Sequence, residues 1–287
     1  MKEYVNLVVF IDGSGNDATP ENEPTWTNVA RLWNAARKCR GSGEVEDQRT
    51  FYRKGVGTRR GELIRGSYFG RYLCERVKEA KTWLEDEISI AAEAGKVPRI
   101  FLFGFSRGAY AVRVLANELN HEVWFMGVWD TVKATLTGPD VEEAGTHIKH
   151  IYHAMALDEY RKLFDVTRFG FTMRATEVWF PGCHADVGGG YEESELAMPS
   201  LHWMTRIAED YGLLVDWDKV PRLPSFEVMP VMHDETRRLG WQIVGLALRD
   251  SHHVREVRNG DLLHKTVEDL QRIGYKRDIP AICRMIG

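Results

Sequence analysis

The sequence predicts an α/β fold in which a doubly wound, mostly parallel sheet is flanked by helices. Short apolar runs rich in Val, Ile, Phe and Trp alternate along the chain with longer segments of helical periodicity. The apolar runs lack the polar alternation of a half-exposed strand, so we expect both faces of the sheet to be covered. Of the 287 residues, 44% are hydrophobic, which is ample for a large core. We therefore expect residues 1–287 to form a single domain.

Five segments are predicted to be strands and four to be helices. The strands are bounded by turn residues, and the helices carry apolar stripes at i, i+3, i+4 and i+7. Val29, Leu32 and Ala36 form such a stripe in the first helix. The predicted strands are residues 6–11, 99–104, 123–129, 176–180 and 242–248, and the predicted helices are 28–38, 70–94, 107–119 and 199–211. Residues 133–172 have weak periodicity, so an insertion or lid is expected at about 133–172.

Charge and cysteine usage exclude several classes of protein. The 38 basic and 42 acidic residues give a net charge of −4, so no global positive field attracts nucleic acid, and no nucleic-acid partner is predicted. The four cysteines form no Cys-x-x-Cys pair, which argues against a zinc knuckle or a disulfide framework. The first apolar run is too short for a signal peptide, and no run of 18 apolar residues occurs. The chain is expected to be made in the cytoplasm.

A Gly-x-Ser-x-Gly pentapeptide at residues 104–108 is the clearest chemical signal. It directly follows a predicted strand and directly precedes a predicted helix, which is the setting of a nucleophile elbow. Small residues two positions away on each side let the serine Oγ stand clear of the sheet, and the helix N-terminus stabilises negative charge. We predict that Ser106 is a nucleophile. The alternative is a tight turn whose serine only caps the helix.

A nucleophilic serine needs a base and an orienting acid, and in a fold with this elbow the chain order is nucleophile, acid, histidine. Asp130 and Asp186 each follow a predicted strand. Asp186 stands beside three consecutive glycines, which indicate backbone that approaches another group closely or takes positive φ. Asp186 is preferred because it follows the penultimate strand of the expected order. Asp130 is the alternative acid.

The histidine is then expected after Asp186. His252 and His253 come directly after the predicted strand 242–248, where a base could lie. His264 begins another helical run. Spacing alone does not separate these two positions.

Seven stretches of the chain, in collinear order, resemble a bacterial α/β-hydrolase family that includes the type VI secretion phospholipase effectors of the first lipase class. The resemblance implies an α/β-hydrolase-like fold and a Ser-Asp-His hydrolase of ester bonds, often in phospholipids, with Ser106 and Asp186 as serine and acid. The family's late histidine lies in a His-x-Ser/Thr-Val element, which favours His264 over His252 and His253. The resemblance also implies peripheral membrane contact and secretion by a contact-dependent system. The stretches are residues 10–16, 24–29, 52–58, 104–110, 127–132, 156–159 with Arg161, and 179–191.

The glycine-rich turn after the first strand has a predicted role of its own. Gly13 can present an N–H to an oxyanion, with the Arg107 N–H as the second donor. The turn lacks the Gly-Lys-Ser/Thr ending of a phosphate loop. Neither a metal nor an organic cofactor is expected.

The leading functional hypothesis is a serine esterase or lipase that works through an acyl-enzyme on an ester or phospholipid substrate. A second hypothesis is a metal-dependent phosphoesterase, because hard oxygen and imidazole ligands lie near strand ends. Its ligands would be Asp12, Asp130, His184 and Asp186. A third is an interaction module that keeps the fold without catalysis.

Overall fold

A parallel sheet with the strand order β2-β1-β3-β4-β5-β6-β7-β8 forms the centre of the molecule. The computed structural model describes residues 3–36, 48–55, 66–133, 138–170, 172–237 and 252–287, without the side chains of 66–72. The strands are β1 (Tyr4–Ile11), β2 (Gln48–Arg53), β3 (Val97–Phe105), β4 (Val123–Trp129), β5 (Ile148–Ala156), β6 (Ala175–Phe180), β7 (Leu262–His264) and β8 (Arg284–Ile286). The α-helices are α1 (Asn28–Ala36), α2 (Gly66–Glu93), α3 (Arg107–Glu118), α4 (His184–Gly188), α5 (Ala197–Asp210) and α6 (Thr266–Arg272). Short 3-10 helices lie at Pro20–Thr25, Lys162–Phe164, Trp217–Lys219 and Glu235–Arg237.

Helices cover both faces of the sheet, as expected from the apolar strands. Because successive side chains of a strand point to opposite faces, β1 divides its residues between two cores. Leu7 and Val9 pack with apolar residues of α2 and α3. Val8 and Phe10 pack with apolar residues of α1 and α5 on the other face. The doubly wound α/β architecture predicted from the sequence, a parallel sheet flanked by helices, is confirmed.

The order of winding reverses at β1, which pairs with β2 on one side and β3 on the other. In open parallel sheets, a crevice forms beyond the carboxyl ends of the strands at such a reversal. Ile11 and Gly104 are register partners at the ends of β1 and β3. The residues that follow, Asp12 and Ser106, therefore emerge at the same edge of the sheet.

Four predicted strands and four predicted helices are confirmed, with end points shifted by a few residues. The predicted strand at 242–248 lies outside the described residues, as do residues 37 and 38 of the first predicted helix. The helix there ends at Ala36 in the described part of the chain. Strands β2, β5, β7 and β8 were not predicted, because each is short or carries polar residues.

The expected insertion at about 133–172 differs from the structure, because this segment contains β5, a strand between β4 and β6. Polar residues interrupt the apolar run of β5, so the sequence pattern does not indicate a strand there. His153 is fully buried there, where its ring accepts a hydrogen bond from the Thr131 N–H and contacts Glu177. A buried histidine with both ring nitrogens satisfied is compatible with a sheet interior.

Candidate active site

Ser106 occupies a strained turn between β3 and α3. Its φ of 58° and ψ of −126° lie in a region that residues with a Cβ rarely adopt. The glycines on either side are sterically required: a Cβ on Gly108 would lie 2.3 Å from the Ile11 carbonyl oxygen, and one on Gly104 would lie 2.7 Å from the Gly108 carbonyl oxygen. The first turn of α3 is thereby packed directly onto β1 and β3. The predicted elbow conformation is present.

Three side chains form a continuous hydrogen-bonded series at this turn. Ser106 Oγ lies 2.8 Å from His184 Nε2, and His184 Nδ1 lies 2.5 Å from Asp130 Oδ2. An ionised carboxylate only accepts hydrogen bonds, so Nδ1 carries the ring proton and Nε2 accepts from the serine hydroxyl. The imidazole is held between the rings of Phe105 and Phe164, with centroid distances of 4.6 and 5.2 Å.

Asp130, at the end of β4, is fully buried and is held by several donors. Its Oδ1 accepts from the Ala156 N–H at 2.9 Å, and Arg255 binds both carboxylate oxygens at 2.6 and 3.0 Å. Burial alone would raise the pKa of Asp130, but the charge of Arg255 and the hydrogen bond from His184 hold that pKa well below its usual range. Asp130 is therefore ionised at neutral pH.

Backbone strain is concentrated at this site. Among the described residues, Ser106 and Asp130 are the only non-glycine residues with positive φ, at 58° and 38°. Such conformations cost about 1–3 kcal/mol each and persist where the surrounding structure holds them. Both residues are the first after neighbouring parallel strands, so the strain turns their side chains toward the same point.

His184 is neutral at pH 7. Burial lowers the pKa of its imidazole, and this effect exceeds the opposing influence of Asp130 and Glu159. A neutral imidazole whose Nε2 accepts from a serine hydroxyl has the protonation state of a general base.

The loop that delivers His184 is held by residues that follow β5. Asp158 accepts a hydrogen bond from the Gly182 N–H at 2.7 Å, and Glu159 accepts one from the His184 N–H at 3.3 Å. Glu159 is itself held by Arg161 through two hydrogen bonds of 2.7 Å. Residues 156–161, one of the stretches that carries the family resemblance, thus position the histidine without contacting the serine.

Asp12, at the end of β1, connects three further stretches of the family resemblance, residues 10–16, 24–29 and 52–58. Its carboxylate accepts hydrogen bonds from Thr27 Oγ1 at 2.8 Å, from Tyr52 Oη at 2.7 Å and from the Gly13 N–H at 2.7 Å. Burial outweighs these bonds and raises the pKa of Asp12 from 3.8 to about 6. Asp12 therefore holds the turn beside the elbow, and the free energy of burying its carboxyl group depends on pH.

This pKa predicts a pH dependence of stability. The folded protein binds a proton at Asp12 more tightly than the unfolded chain, so the free energy of unfolding should fall as pH rises from 3.8 to about 6. For a shift of this size the fall is ~3 kcal/mol. Asp12→Asn should lack it, and urea unfolding from pH 4 to 7 will measure the difference. Asp17→Asn is the control, because the pKa of Asp17 is lowered. Parallel pH curves for wild type and Asp12→Asn would contradict the prediction.

The structure does not bring Asp186, the preferred acid, to the imidazole of His184. Both residues lie on α4, but they are two positions apart, and residues i and i+2 of a helix point to different sides. Asp186 Oδ2 accepts from the Cys183 N–H at 2.9 Å, and Oδ1 lies 2.7 Å from His233 Nδ1. Asp186 caps α4 and ties residue 233 to it, whereas the alternative acid, Asp130, contacts His184.

His264 also lies apart from Ser106, at the end of β7. Neighbouring strands are about 4.8 Å apart, so β7, four strands from β3, is roughly 19 Å away. The His264 ring stacks on Phe180 and its Nδ1 lies 3.0 Å from Thr266 Oγ1. Burial lowers the pKa of His264 to about 4. The expected Ser106–His264 contact is absent from these described residues.

His252 and His253, the alternative bases, make other contacts. His252 is exposed and stacks on Tyr160 with a centroid distance of 4.9 Å. His253 donates its N–H to the Tyr160 carbonyl, and its Nε2 lies 3.6 Å from Asp165 Oδ1. These contacts join both histidines to residues that follow β5, whereas His184 contacts Ser106.

The two predicted oxyanion donors differ in their surroundings. The Gly13 N–H donates to Asp12 Oδ1 at 2.7 Å, so it is already committed to an acceptor. Arg107 is the first residue of α3 and directly follows Ser106, which places its N–H in the first turn of the helix. The helix dipole adds partial positive charge at this point.

The side chains of the metal hypothesis do not converge on one point. Asp12 contacts Thr27 and Tyr52, whereas Asp130 contacts His184 and Arg255. In the described ranges, no three His, Cys, Asp or Glu side chains are grouped so as to hold a metal ion. No helix in the described part of the chain is long and apolar enough to cross a membrane.

Three solved structures resemble this chain at low sequence identity. The Tle1 effector, solved bound to the VgrG spike of the type 6 secretion system, is 20% identical over 66% of this chain and 52% of its own, with a TM-score of 0.49. The present chain thus spans about half the length of that effector. A protein of unknown function from Agrobacterium tumefaciens is 15% identical over 73% of this chain and 93% of its own, with a TM-score of 0.38. SOBER1 from Arabidopsis thaliana is 12% identical over 72% of this chain and 99% of its own, with a TM-score of 0.40.

A family model gives the more specific result. No curated protein sequence matches the chain. The model for the catalytic domain of Tle1-like phospholipase effectors of the type VI secretion system matches residues 5–123 and 117–207, which is more than half of the chain. The matched range includes Ser106, Asp130 and His184, and the resemblance seen in the sequence is confirmed. The chain belongs to the family of Tle1-like type VI secretion phospholipase effectors, in the part that forms their catalytic domain.

Proposed function

We propose that the protein is a serine hydrolase that cleaves carboxylic esters through an acyl-enzyme, with Ser106 as nucleophile, His184 as general base and Asp130 as orienting acid. The observation that carries the proposal is the series Ser106 Oγ–His184 Nε2–His184 Nδ1–Asp130 Oδ2, with separations of 2.8 and 2.5 Å at its two hydrogen bonds. Nucleophile, base and acid in this arrangement define the Ser-His-Asp mechanism on several unrelated folds. In this proposal the acid is Asp130 instead of Asp186, and the base is His184 instead of His264.

In this mechanism Ser106 Oγ attacks the ester carbonyl carbon while its proton passes to His184 Nε2. The tetrahedral oxyanion accepts hydrogen bonds from backbone donors, for which the Arg107 N–H is the proposed first donor. Collapse breaks the bond to the leaving alcohol, which takes the proton from His184 and leaves Ser106 acylated. Water then attacks the acyl-enzyme, with His184 again as the base. Asp130 stays ionised and stabilises the imidazolium in both steps.

Phospholipid acyl esters are the proposed substrate class, because the family model that matches this chain is that of phospholipase effectors. Export by a type VI secretion system is proposed on the same ground. Peripheral contact with a membrane surface follows from a lipid substrate. The Ser106 side chain is buried in this structure, so an acyl chain must reach it through local opening.

Two assays test the proposal. Hydrolysis of a short-chain nitrophenyl ester should be abolished by a serine-directed phosphonate, because the phosphonate captures an activated serine, and should be unaffected by a chelator. Mass spectrometry should place the phosphonate on Ser106. Incubation with a lipid extract should release fatty acid and lysophospholipid. Loss of activity with chelator but not with phosphonate would favour the metal-dependent alternative, and phosphonate on another residue would refute Ser106 as the nucleophile. No hydrolysis of any ester would favour an interaction module.

A further inference from the structure

Arg255 lies against the acid at the end of the hydrogen-bonded series and is 2% exposed. Its guanidinium binds Asp130 through both carboxylate oxygens, at 2.6 and 3.0 Å, and also donates to the Ala156 carbonyl at 2.7 Å. Another hydrogen bond joins it to the Phe164 carbonyl. A planar, bidentate pair of this kind fixes the carboxylate in orientation as well as in charge.

The backbone around Arg255 is anchored independently of the pair. The His253 N–H donates to the Tyr160 carbonyl at 2.8 Å, and Arg277 Nη2 donates to the Arg255 carbonyl at 3.0 Å. Segment 252–258 is therefore hydrogen-bonded to the loop after β5 and to Arg277. Arg255 is the buried residue of this irregular, mostly exposed segment, and its side chain reaches inward to Asp130.

The pair changes the chemistry available to His184. A carboxylate that orients an imidazole also raises its pKa, and a second cation on the same carboxylate reduces that effect. Among the described residues, four charged groups surround the imidazole or its partner: Asp130 after β4, Glu159 and Arg161 after β5, and Arg255. Two are acidic and two are basic, so the surroundings of His184 are close to neutral. Without Arg255 they would carry a net negative charge.

We propose that Arg255 is a positioning residue that keeps Asp130 ionised and aimed at His184, and that it thereby sets the low-pH limit of catalysis. The proposal rests on the proposed function of Ser106, His184 and Asp130. Since the base must be neutral to accept the serine proton, activity is lost below the pKa of the imidazole–carboxylate pair. Arg255 lowers this pKa and so extends activity to lower pH.

The test is the pH profile of kcat/KM for nitrophenyl ester hydrolysis in Arg255→Met, Arg255→Gln and Arg255→Lys. Removal of the positive charge should move the acidic limb of Arg255→Met and Arg255→Gln to higher pH by about one unit or more, since a full charge in contact with a titrating pair shifts its pKa by about 1–3. Lysine keeps the positive charge but cannot form the bidentate hydrogen bonds of the guanidinium. The acidic limb of Arg255→Lys should therefore stay near that of wild type, while its kcat falls. Arg113→Met is the matched control. Arg113 is equally buried but donates to the carbonyls of Val141 and Thr167, so its loss should lower stability without moving the limb.

Several results would overturn the proposal. The acidic limbs of Arg255→Met and Arg255→Gln would coincide with wild type if Arg255 were only a structural residue. Loss of folding in both Arg255→Met and Arg255→Gln would also show that Arg255 has a structural role only. If the acidic limb of Arg255→Lys moved as far as that of Arg255→Met, the charge of Arg255 would not be the cause of the shift. Ser106→Ala separates this result from the proposed function. An active Ser106→Ala protein refutes the proposed function itself, whereas an inactive one beside unmoved limbs refutes only the role of Arg255.

Discussion

Replacement of Ser106 by alanine is expected to lower kcat for ester hydrolysis by ~10⁴-fold or more, because removal of a triad nucleophile leaves only the contributions of binding and the oxyanion site. The fold should survive. Ser106 Oγ makes one hydrogen bond to a side chain, at 2.8 Å to His184, and alanine retains the Cβ whose strained position the elbow already accommodates. Kinetics on the nitrophenyl ester and thermal unfolding should be measured on the same preparation.

Ser89→Ala is the matched control for this prediction. Ser89 lies on the exposed side of α2, where its hydroxyl donates to the Glu85 carbonyl at 2.9 Å. The control should keep wild-type kcat and thermal stability. A folded Ser106→Ala protein with full activity would refute the proposed nucleophile, and equal losses in both variants would point to a general effect on the preparation.

Asp130→Asn and His184→Gln should each lower kcat by about 10⁴-fold, whereas Asp186→Asn and His264→Gln should retain most of it. An asparagine at the true acid keeps the shape but favours the wrong imidazole tautomer. The contacts of Asp186 stabilise α4 and residue 233, so its replacement should lower the free energy of unfolding by about 1–3 kcal/mol. Kinetics and urea unfolding of all four proteins separate an effect on catalysis from one on stability.

The opposite order of activities among these four variants would contradict the proposed acid and base. If folded Asp186→Asn and His264→Gln lost activity while Asp130→Asn and His184→Gln kept it, the catalytic set would be the one first expected from the sequence. Asp130→Asn also removes the charge that Arg255 faces, so its unfolding must be checked before its rate is interpreted.

The fold and the strained turn at Ser106 could be predicted from the sequence for local reasons. Apolar strands, helical stripes and a glycine-flanked turn are each encoded within about ten residues. The proposed set keeps the chain order of nucleophile, acid and histidine, since Ser106, Asp130 and His184 follow β3, β4 and β6. With Asp130 as the acid, this order makes His184 a candidate, because it follows the end of β6 by only a few residues. The preference for Asp186 required a later histidine and so removed His184 from consideration.

The remaining assignments depended on distances that no local pattern encodes. His264 matches a short sequence element, but the position of β7 near the far edge of the sheet separates it from the elbow by several strands. The link between Arg255 and Asp130 joins residues 125 positions apart, and neither residue carries a motif for it. A buried ion pair of this separation becomes visible only when the topology is known.

The parallel sheet has a consequence for how the protein folds. In the described part of the chain every pair of adjacent strands is parallel, so no hairpin can form early and each pairing must wait for a crossover. Contacts of high sequence separation slow folding, because the entropy of loop closure is lost before the contacts stabilise the chain. The bonds that join β3 to His184 and β4 to Arg255 span 78 and 125 residues. The proposed catalytic centre is thus expected to be among the last parts to form, and a partly folded chain is expected to be inactive.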